Sequence, residues 1–288
     1  MLPGHERIWS DHAASTASFE LREGKVSRPT RLLRSEWIRV GGALVHARVP
    51  EEPTPSDSLP LVLVHGIGVA SRFMVPVAGL LAPYHRVYAP DLPGFGKSEK
   101  PAYALSLAEL TDVLAGWTQA TGLESVAFLG NSFGCQIVAE LTLRYPELVE
   151  RVVLQGPTMD PQARTARQQV ARWLRNSRQE PLSHGLISAR EYPRCGLRRL
   201  IKTFRYALED RIEEKLPHMR VPALVVRGSR DPIVPQRWAE EATSLLPLGS
   251  LAVIPGAPHT VVYDAPLELA RVVRPFLSSD QEQRNSTA

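Results

Sequence analysis

The fold of this chain is decided by the stretch Ser125-Val126-Ala127-Phe128-Leu129-Gly130-Asn131-Ser132-Phe133-Gly134-Cys135. Its first five residues are apolar or small, as in a buried strand, and the apolar positions that follow it recur at helical spacing. Between strand and helix, Gly130 and Gly134 bracket Ser132 in the pattern G-x-S-x-G. A turn this tight has no room for side chains at the two glycines and strains the backbone of the serine. The stretch therefore predicts a strand, a sharp turn and a helix, with a nucleophilic serine at the apex.

Composition places the chain among ordinary globular proteins. Its 288 residues suffice for one large domain, and 43% of them are hydrophobic and 22% charged. No apolar run reaches the roughly 18 residues of a membrane span, and the N-terminus lacks the apolar core of a signal peptide. Two cysteines make neither a disulfide framework nor a metal site. These features predict a cytoplasmic protein with no metal, no cofactor and no membrane partner.

Strands and helices alternate along most of the chain. Two alternating apolar runs joined by Gly41-Gly42 predict an antiparallel hairpin. Ser106 is predicted to cap a helix, and a last helix is predicted from Asp264 to Leu277. Continuous apolar runs predict buried strands at Leu61–Val64, Arg86–Pro90, Val149–Gln155, Ala223–Gly228 and Leu251–Ile254. The alternation predicts an α/β fold with a mostly parallel sheet and helices on both faces.

The alternation stops over residues 157–217, where the patterns are helical. This segment carries thirteen Lys or Arg and seven Asp or Glu, a net charge of +6. Either an anionic ligand or a solvated helical surface explains that charge, and no motif supports nucleic-acid binding. The predicted division is an α/β core (34–156 and 218–278), a helical insertion (157–217), a loosely ordered N-terminal arm (1–33) and a C-terminal tail (279–288).

A serine nucleophile needs a base, and the base needs a carboxylate that orients it. In doubly wound sheets, reactive groups gather at the carboxyl ends of the strands. Asp231 and His259 follow the last two predicted strands. The order Ser132, Asp231, His259 is the order expected after a G-x-S-x-G turn, so these three are the predicted catalytic residues. Asp160, after the preceding strand, is the alternative acid.

Attack by the serine creates an oxyanion that two backbone N–H groups must bind. Phe133 is predicted to supply one of them, because it directly follows the nucleophile. The other is predicted at Ile67, in the loop His65-Gly66-Ile67-Gly68. Gly66 allows this loop to approach the substrate closely. His65 is predicted to hydrogen-bond neighbouring loops rather than to act as a second base.

Together, five motifs resemble the α/β-hydrolase fold superfamily over roughly residues 35–278. They are His65-Gly66-Ile67-Gly68, Asp91–Ser98, Gly130–Gly134, Asp231–Pro235 and His259. The resemblance implies a doubly wound, mostly parallel sheet of the eight-stranded type, and a helical lid that fits residues 157–217. Because position 132 is a serine and not an aspartate, the chain is similar to the serine-nucleophile branch rather than to the dehalogenases and epoxide hydrolases.

Two enzymatic functions stay open on this basis. The first is a cofactor-free hydrolase of a small carboxylic ester, lactone or thioester. The second cleaves a carbon–carbon bond in a dienoate ring-fission product, since Asn131 and Phe133 resemble such enzymes, although Thr260 after the histidine departs from them. Its anionic substrate would need a cation, for which the candidates are Arg190, Arg194 and Arg198. A non-catalytic hydrolase-like binding protein is a third alternative, and a homodimer is left open as an assembly.

Overall fold

An eight-stranded sheet forms the centre of the protein in a computed structural model that describes residues 33–51 and 58–278. The strands are β1 Leu33–Val40, β2 Ala43–Pro50, β3 Leu61–Val64, β4 Val87–Pro90, β5 Val126–Asn131, β6 Val149–Gln155, β7 Ala223–Gly228 and β8 Gly249–Ile254. Their order is β1-β2-β4-β3-β5-β6-β7-β8, with β2 antiparallel to both neighbours and the remaining pairs parallel. This confirms the predicted mostly parallel α/β fold. The predicted N-terminal arm, apart from Leu33, and the predicted tail lie outside the described residues.

Helices cover both faces of the sheet. They are α1 Ser71–Leu81, α2 Leu107–Ala120, α3 Phe133–Arg144, α4 Ala166–Ser177, α5 Leu182–Cys195, α6 Leu197–Glu209, α7 Ile212–Lys215, α8 Gln236–Leu245, α9 Val261–Asp264 and α10 Pro266–Ser278. One apolar core contains side chains of α2, α3 and α8, and the other contains side chains of α1, α9 and α10. The all-apolar strand β3 lies between the two cores and is fully buried, as a strand covered on both faces must be.

Local sequence signals account for several element boundaries. Gly41 and Gly42 both have positive φ, which fits the turn of the β1–β2 hairpin. Ser106 forms the predicted capping box at the start of α2. The last helix, α10, begins at Pro266, two residues later than predicted, because Asp264 is the end of α9. A proline disfavours the helical conformation of the residue before it, and Ala265 has a φ of −141°.

The segment between β6 and β7 contains α4 to α7 and no strand among its residues, all of which the structure describes. It packs on the core beside the carboxyl ends of the strands. A Cβ atom on Gly68, which follows β3, would lie 2.6 Å from the ring of Tyr192 and 3.0 Å from Leu200. Arg199 donates hydrogen bonds to the carbonyl oxygens of Pro101 and Tyr103. Within the described residues, no helix is both long and apolar enough to span a bilayer.

Candidate active site

The strand–turn–helix around Ser132 has the geometry that the sequence predicts. Ser132 has a φ of 55° and a ψ of −116°, and among the described residues it is the one non-glycine with a positive φ. A Cβ on Gly130 would lie 2.7 Å from the backbone of Gly134 and Cys135, and a Cβ on Gly134 would collide with the carbonyl oxygen of Val64. The turn is therefore closed to side chains on both sides of the serine, and its strain is held by the packed strand and helix.

Asp231 and His259 meet beyond the ends of β7 and β8. The His259 Nδ1 and Asp231 Oδ2 atoms are 2.7 Å apart, and both side chains are buried. Asp231 Oδ1 accepts hydrogen bonds from the backbone N–H groups of Ile233 (2.7 Å) and Val234 (3.0 Å). The carboxylate is thereby fixed by the backbone on one oxygen and orients the imidazole with the other.

The imidazole of His259 lies next to the serine turn. Its ring packs on Gly156, where a Cβ atom would come within 2.8 Å of Cε1. The backbone N–H of Ser132 donates to the carbonyl oxygen of Gln155, the residue before Gly156, at 2.9 Å. His259 Nε2 is buried and has no hydrogen-bond partner among the described residues. This nitrogen is therefore free to take a proton from a nearby hydroxyl.

The charges around His259 raise the pKa of its imidazole above the ordinary value. Burial alone would lower the pKa of His259, but the charge and hydrogen bond of Asp231 outweigh burial. The carboxylates of Glu180 and Asp264 act in the same direction. The surroundings of this histidine are thus negatively charged and favour its protonated form.

The alternative acid, Asp160, is engaged elsewhere. Its Oδ2 accepts from Arg172 of α4 (2.8 Å) and Arg237 of α8 (2.5 Å), and its Oδ1 accepts from the backbone N–H of Gln162. These bonds tie the helical insertion to the core. Between the two candidate acids, the structure brings Asp231 and not Asp160 to His259.

The loop of residues 65–68 lies directly against the serine. A Cβ on Gly66 would be 3.2 Å from Asn131 Oδ1 and 3.4 Å from the Cβ of Ser132. His65 is buried, pairs through Nδ1 with the carbonyl oxygen of Gly66, and accepts at Nε2 from the backbone N–H of Leu92. Burial lowers the pKa of His65, so this imidazole is a neutral bridge between two loops. Ile67 is the next residue in this loop, and Phe133 is the residue after the serine.

Two amide side chains that the sequence did not single out hold the backbone of His259. Asn176 Oδ1, on α4, accepts from the His259 backbone N–H at 2.9 Å, and Gln155 Nε2 donates to the His259 carbonyl oxygen at 2.8 Å. Asn131 donates to Gln155, and Asn176 donates to Glu180, both at 2.6 Å. The catalytic loop is thus held from the core on one side and from the insertion on the other. The sequence signal that could have indicated the role of Gln155 is a polar residue at the end of an otherwise apolar strand.

Glu180, His184 and Asp264 are the one group among the described residues whose ligand atoms, all within 4.8 Å of one another, could hold a metal ion. His184 Nδ1 is 3.5 Å from an oxygen of each carboxylate. The aromatic rings of Phe73 and Tyr263 surround its imidazole. His184 lies on α5 between the carboxylates of Glu180 and Asp264, so the group links α5 to α9.

The arginines predicted as substrate ligands are not at the serine. Arg190, Arg194 and Arg198 are all exposed, and none of them has a hydrogen bond or ion pair to Ser132, Asp231 or His259. Arg194 pairs with Glu191 of its own helix at 3.4 Å. Arg198 lines a separate surface cavity of about 650 Å³ between α6 and residues 102–104. The structure therefore places these three candidate arginines on exposed faces of α5 and α6, without a bond to the three catalytic candidates.

A family model and two relatives match parts of this chain. Residues 61–272 match the model of the alpha/beta hydrolase family. An abhydrolase domain-containing protein of Caenorhabditis elegans is 33% identical over 135 residues, which are 43% of this chain and 30% of that protein. A 2-hydroxymuconate semialdehyde hydrolase of Pseudomonas putida is 39% identical over 103 residues, 35% of this chain and 37% of that protein. The chain thus matches about a third of the length of these relatives.

A solved structure extends the likeness over most of the chain. A thermophilic esterase from Thermogutta terrifontis superposes with a TM-score of 0.71 and 22% identity, covering 85% of this chain and 98% of that one. At this identity the match concerns the fold alone.

Proposed function

The chain belongs to the alpha/beta hydrolase family, and from this premise we propose that it is a serine hydrolase that cleaves a small carboxylic ester, lactone or thioester. One observation carries the proposal: the 2.7 Å contact between Asp231 and His259 beside Ser132 in its strained turn. In this proposal Ser132 is the nucleophile, His259 the base and Asp231 the orienting acid, which are the three roles that acyl transfer needs.

The proposed reaction has two steps. Ser132 Oγ attacks the substrate carbonyl while His259 Nε2 takes the hydroxyl proton, and Asp231 stabilises the imidazolium. The backbone N–H groups of Ile67 and Phe133 bind the oxyanion. Collapse of this tetrahedral intermediate breaks the bond to the leaving group, which receives the proton from His259. Water, deprotonated by the same imidazole, then hydrolyses the acyl-enzyme and restores the serine.

We further propose that the helical insertion is a lid. It contacts both sides of the reacting centre, since Tyr192 and Leu200 pack on Gly68 and Asn176 bonds to His259. A cover of this kind excludes water and strengthens the electrostatic interactions inside the site.

Carbon–carbon bond hydrolysis is the second candidate, favoured by the likeness to the Pseudomonas putida enzyme. The charges around the site favour the ester instead. A dienoate substrate is anionic, whereas Glu180 and Asp264 make the surroundings of His259 negative, and the three candidate arginines are exposed. Like charges near a binding site disfavour an anionic ligand.

A labelling and substrate panel tests the proposal. A fluorophosphonate probe should label the protein once, on Ser132, and p-nitrophenyl esters of increasing chain length, a lactone and a thioester should be compared with a carboxylate-bearing dienone. Turnover of a neutral acyl substrate with the higher kcat/KM is expected. A higher kcat/KM for the dienone would establish the second candidate, and labelling without turnover of any substrate would indicate a binding protein.

The raised pKa of His259 predicts the pH dependence. The imidazole must be neutral to accept the serine proton, so kcat/KM should rise with pH through an apparent pKa above the ordinary histidine value of about 6.5. The measurement is a pH profile of kcat/KM for a non-ionising ester. A rising limb centred below pH 6.5 would show that burial, and not Asp231 with Glu180 and Asp264, dominates this site.

Asn176 is predicted to act as a positioning residue. Asn176→Ala leaves the backbone N–H of His259 buried and unpaired, so the catalytic loop is held less well. We expect a loss of about 1–2 kcal/mol of transition-state stabilisation, which lowers kcat roughly tenfold with little change in KM. Ser177→Ala is the matched control, because its hydroxyl bonds only to its own helix. Equal kinetics of the two variants would mean that Gln155 alone holds the loop.

A further inference from the structure

Helix α4 buries a polar face and exposes an apolar one, the reverse of the usual arrangement in a surface helix. Its buried face carries Gln169 and Asn176, which are 4% and 1% exposed, together with the half-buried Arg172. These polar groups have hydrogen-bond partners inside the protein. Gln169 bonds to Ala163, and Arg172 bonds to Asp160. Asn176 bonds to Glu180 and His259. Its exposed face carries Val170, Trp173 and Leu174, at the i, i+3, i+4 spacing of one helical stripe.

Helix α5 also exposes large apolar side chains, although its inner face contains Cys195, Ile187 and Tyr192 beside polar groups. His184 and Glu191 are buried, whereas Leu182 is 90% exposed and Leu186 is 73% exposed, one turn further along the same face. A surface helix normally buries its apolar stripe and exposes its polar one. Two consecutive helices therefore expose large apolar side chains, which marks this part of the surface as a candidate interaction site.

The charge around these apolar residues has one sign. Arg167, Arg175, Arg178, Arg190 and Arg194 are all exposed on α4, α5 and the connection between them. The acidic residues of this segment, Glu180 and Glu191, are only 11% and 5% exposed. We call the five exposed apolar residues and these five arginines the insertion surface. It combines exposed Trp and Leu with a border of exposed arginines, of which Arg194 pairs with the buried Glu191.

We propose that the insertion surface docks the protein onto an anionic lipid bilayer. Apolar side chains that enter the acyl boundary beside arginines that meet anionic headgroups are the two contributions that hold an amphipathic helix on a membrane surface. A second copy of this chain is a poorer occupant, because a symmetric dimer through this surface would place arginines against arginines. The sequence predicts no membrane partner because it contains no membrane-spanning segment. A surface that binds a membrane from outside can be recognised only when the exposed faces of the helices are known.

This inference does not depend on the proposed catalysis, and its test measures binding alone. The full-length protein should be sedimented with phosphatidylcholine vesicles that contain or lack phosphatidylglycerol. Two double variants test the apolar and the charged contributions separately. Trp173→Ser with Leu182→Ser removes apolar contacts. Arg167→Gln with Arg175→Gln removes positive charge. Leu267→Ser with Arg271→Gln, exposed on α10 of the core, is the matched control.

Binding to the anionic vesicles, weakened by salt, is the expected result. Each arginine removed should lower the partition coefficient about fivefold, so the charge variant should lose roughly 25-fold. The apolar variant should lose at least tenfold, and the control should bind like the natural protein. The proposal is overturned if the protein ignores anionic vesicles, if all variants bind alike, or if sedimentation velocity shows a dimer that the apolar variant abolishes.

Discussion

Ser132→Ala should abolish fluorophosphonate labelling and lower kcat for the best ester by about 10⁴- to 10⁶-fold. Every later step depends on this hydroxyl, because in the proposed mechanism it gives its proton to His259 Nε2, which has no hydrogen-bond partner among the described residues. The neighbouring loop of residues 65–68 is built against the same turn. The residual rate would come from the oxyanion donors and from substrate binding, which persist without the nucleophile.

The control for this variant is Ser125→Ala, at the opposite end of β5, where the serine is exposed and bonds to Glu150. It should retain labelling and turnover. Circular dichroism and thermal unfolding would establish that Ser132→Ala is folded. If a folded Ser132→Ala kept more than a few per cent of the activity, another residue would be the nucleophile and the acyl-enzyme mechanism would be wrong.

Local constraints explain why the core could be predicted from the sequence. The apolar run of β3 and the paired glycines of the hairpin and of the serine turn each specify one backbone arrangement. The contact between Asp231 and His259 could be anticipated because parallel strands end at one edge of the sheet. Chain order and topology together were sufficient to bring the two residues within hydrogen-bond distance.

The helical insertion resisted prediction for a physical reason. Helical periodicity shows which residues share a face, but not which face meets the core. The sequence favours burial of apolar stripes, yet Trp173 is exposed while Asn176 is buried against His259. The same ambiguity left open whether Arg190, Arg194 and Arg198 meet a ligand or solvent. Tertiary hydrogen bonds, which no local pattern encodes, decided the orientation.

Asp231→Asn should lower kcat by about 10⁴-fold while leaving the protein folded. The backbone N–H groups of Ile233 and Val234 need an acceptor, so the amide oxygen of an asparagine would stay with them. Its NH₂ group would then face His259 Nδ1, which would have to accept a hydrogen bond. The proton would move to Nε2, and the imidazole could no longer take the proton of Ser132.

Asp160→Asn separates this effect from the general loss of a buried carboxylate. Asp160 is buried as deeply as Asp231, but it binds Arg172 and Arg237 rather than the imidazole. Its loss should lower the melting temperature, because two arginines lose their partner, while kcat stays within a few fold. Both variants should therefore be compared by kcat and by thermal unfolding. A large loss of kcat in Asp160→Asn with normal turnover in Asp231→Asn would transfer the role of the acid to the end of β6, and the mechanism would have to be rebuilt around that strand.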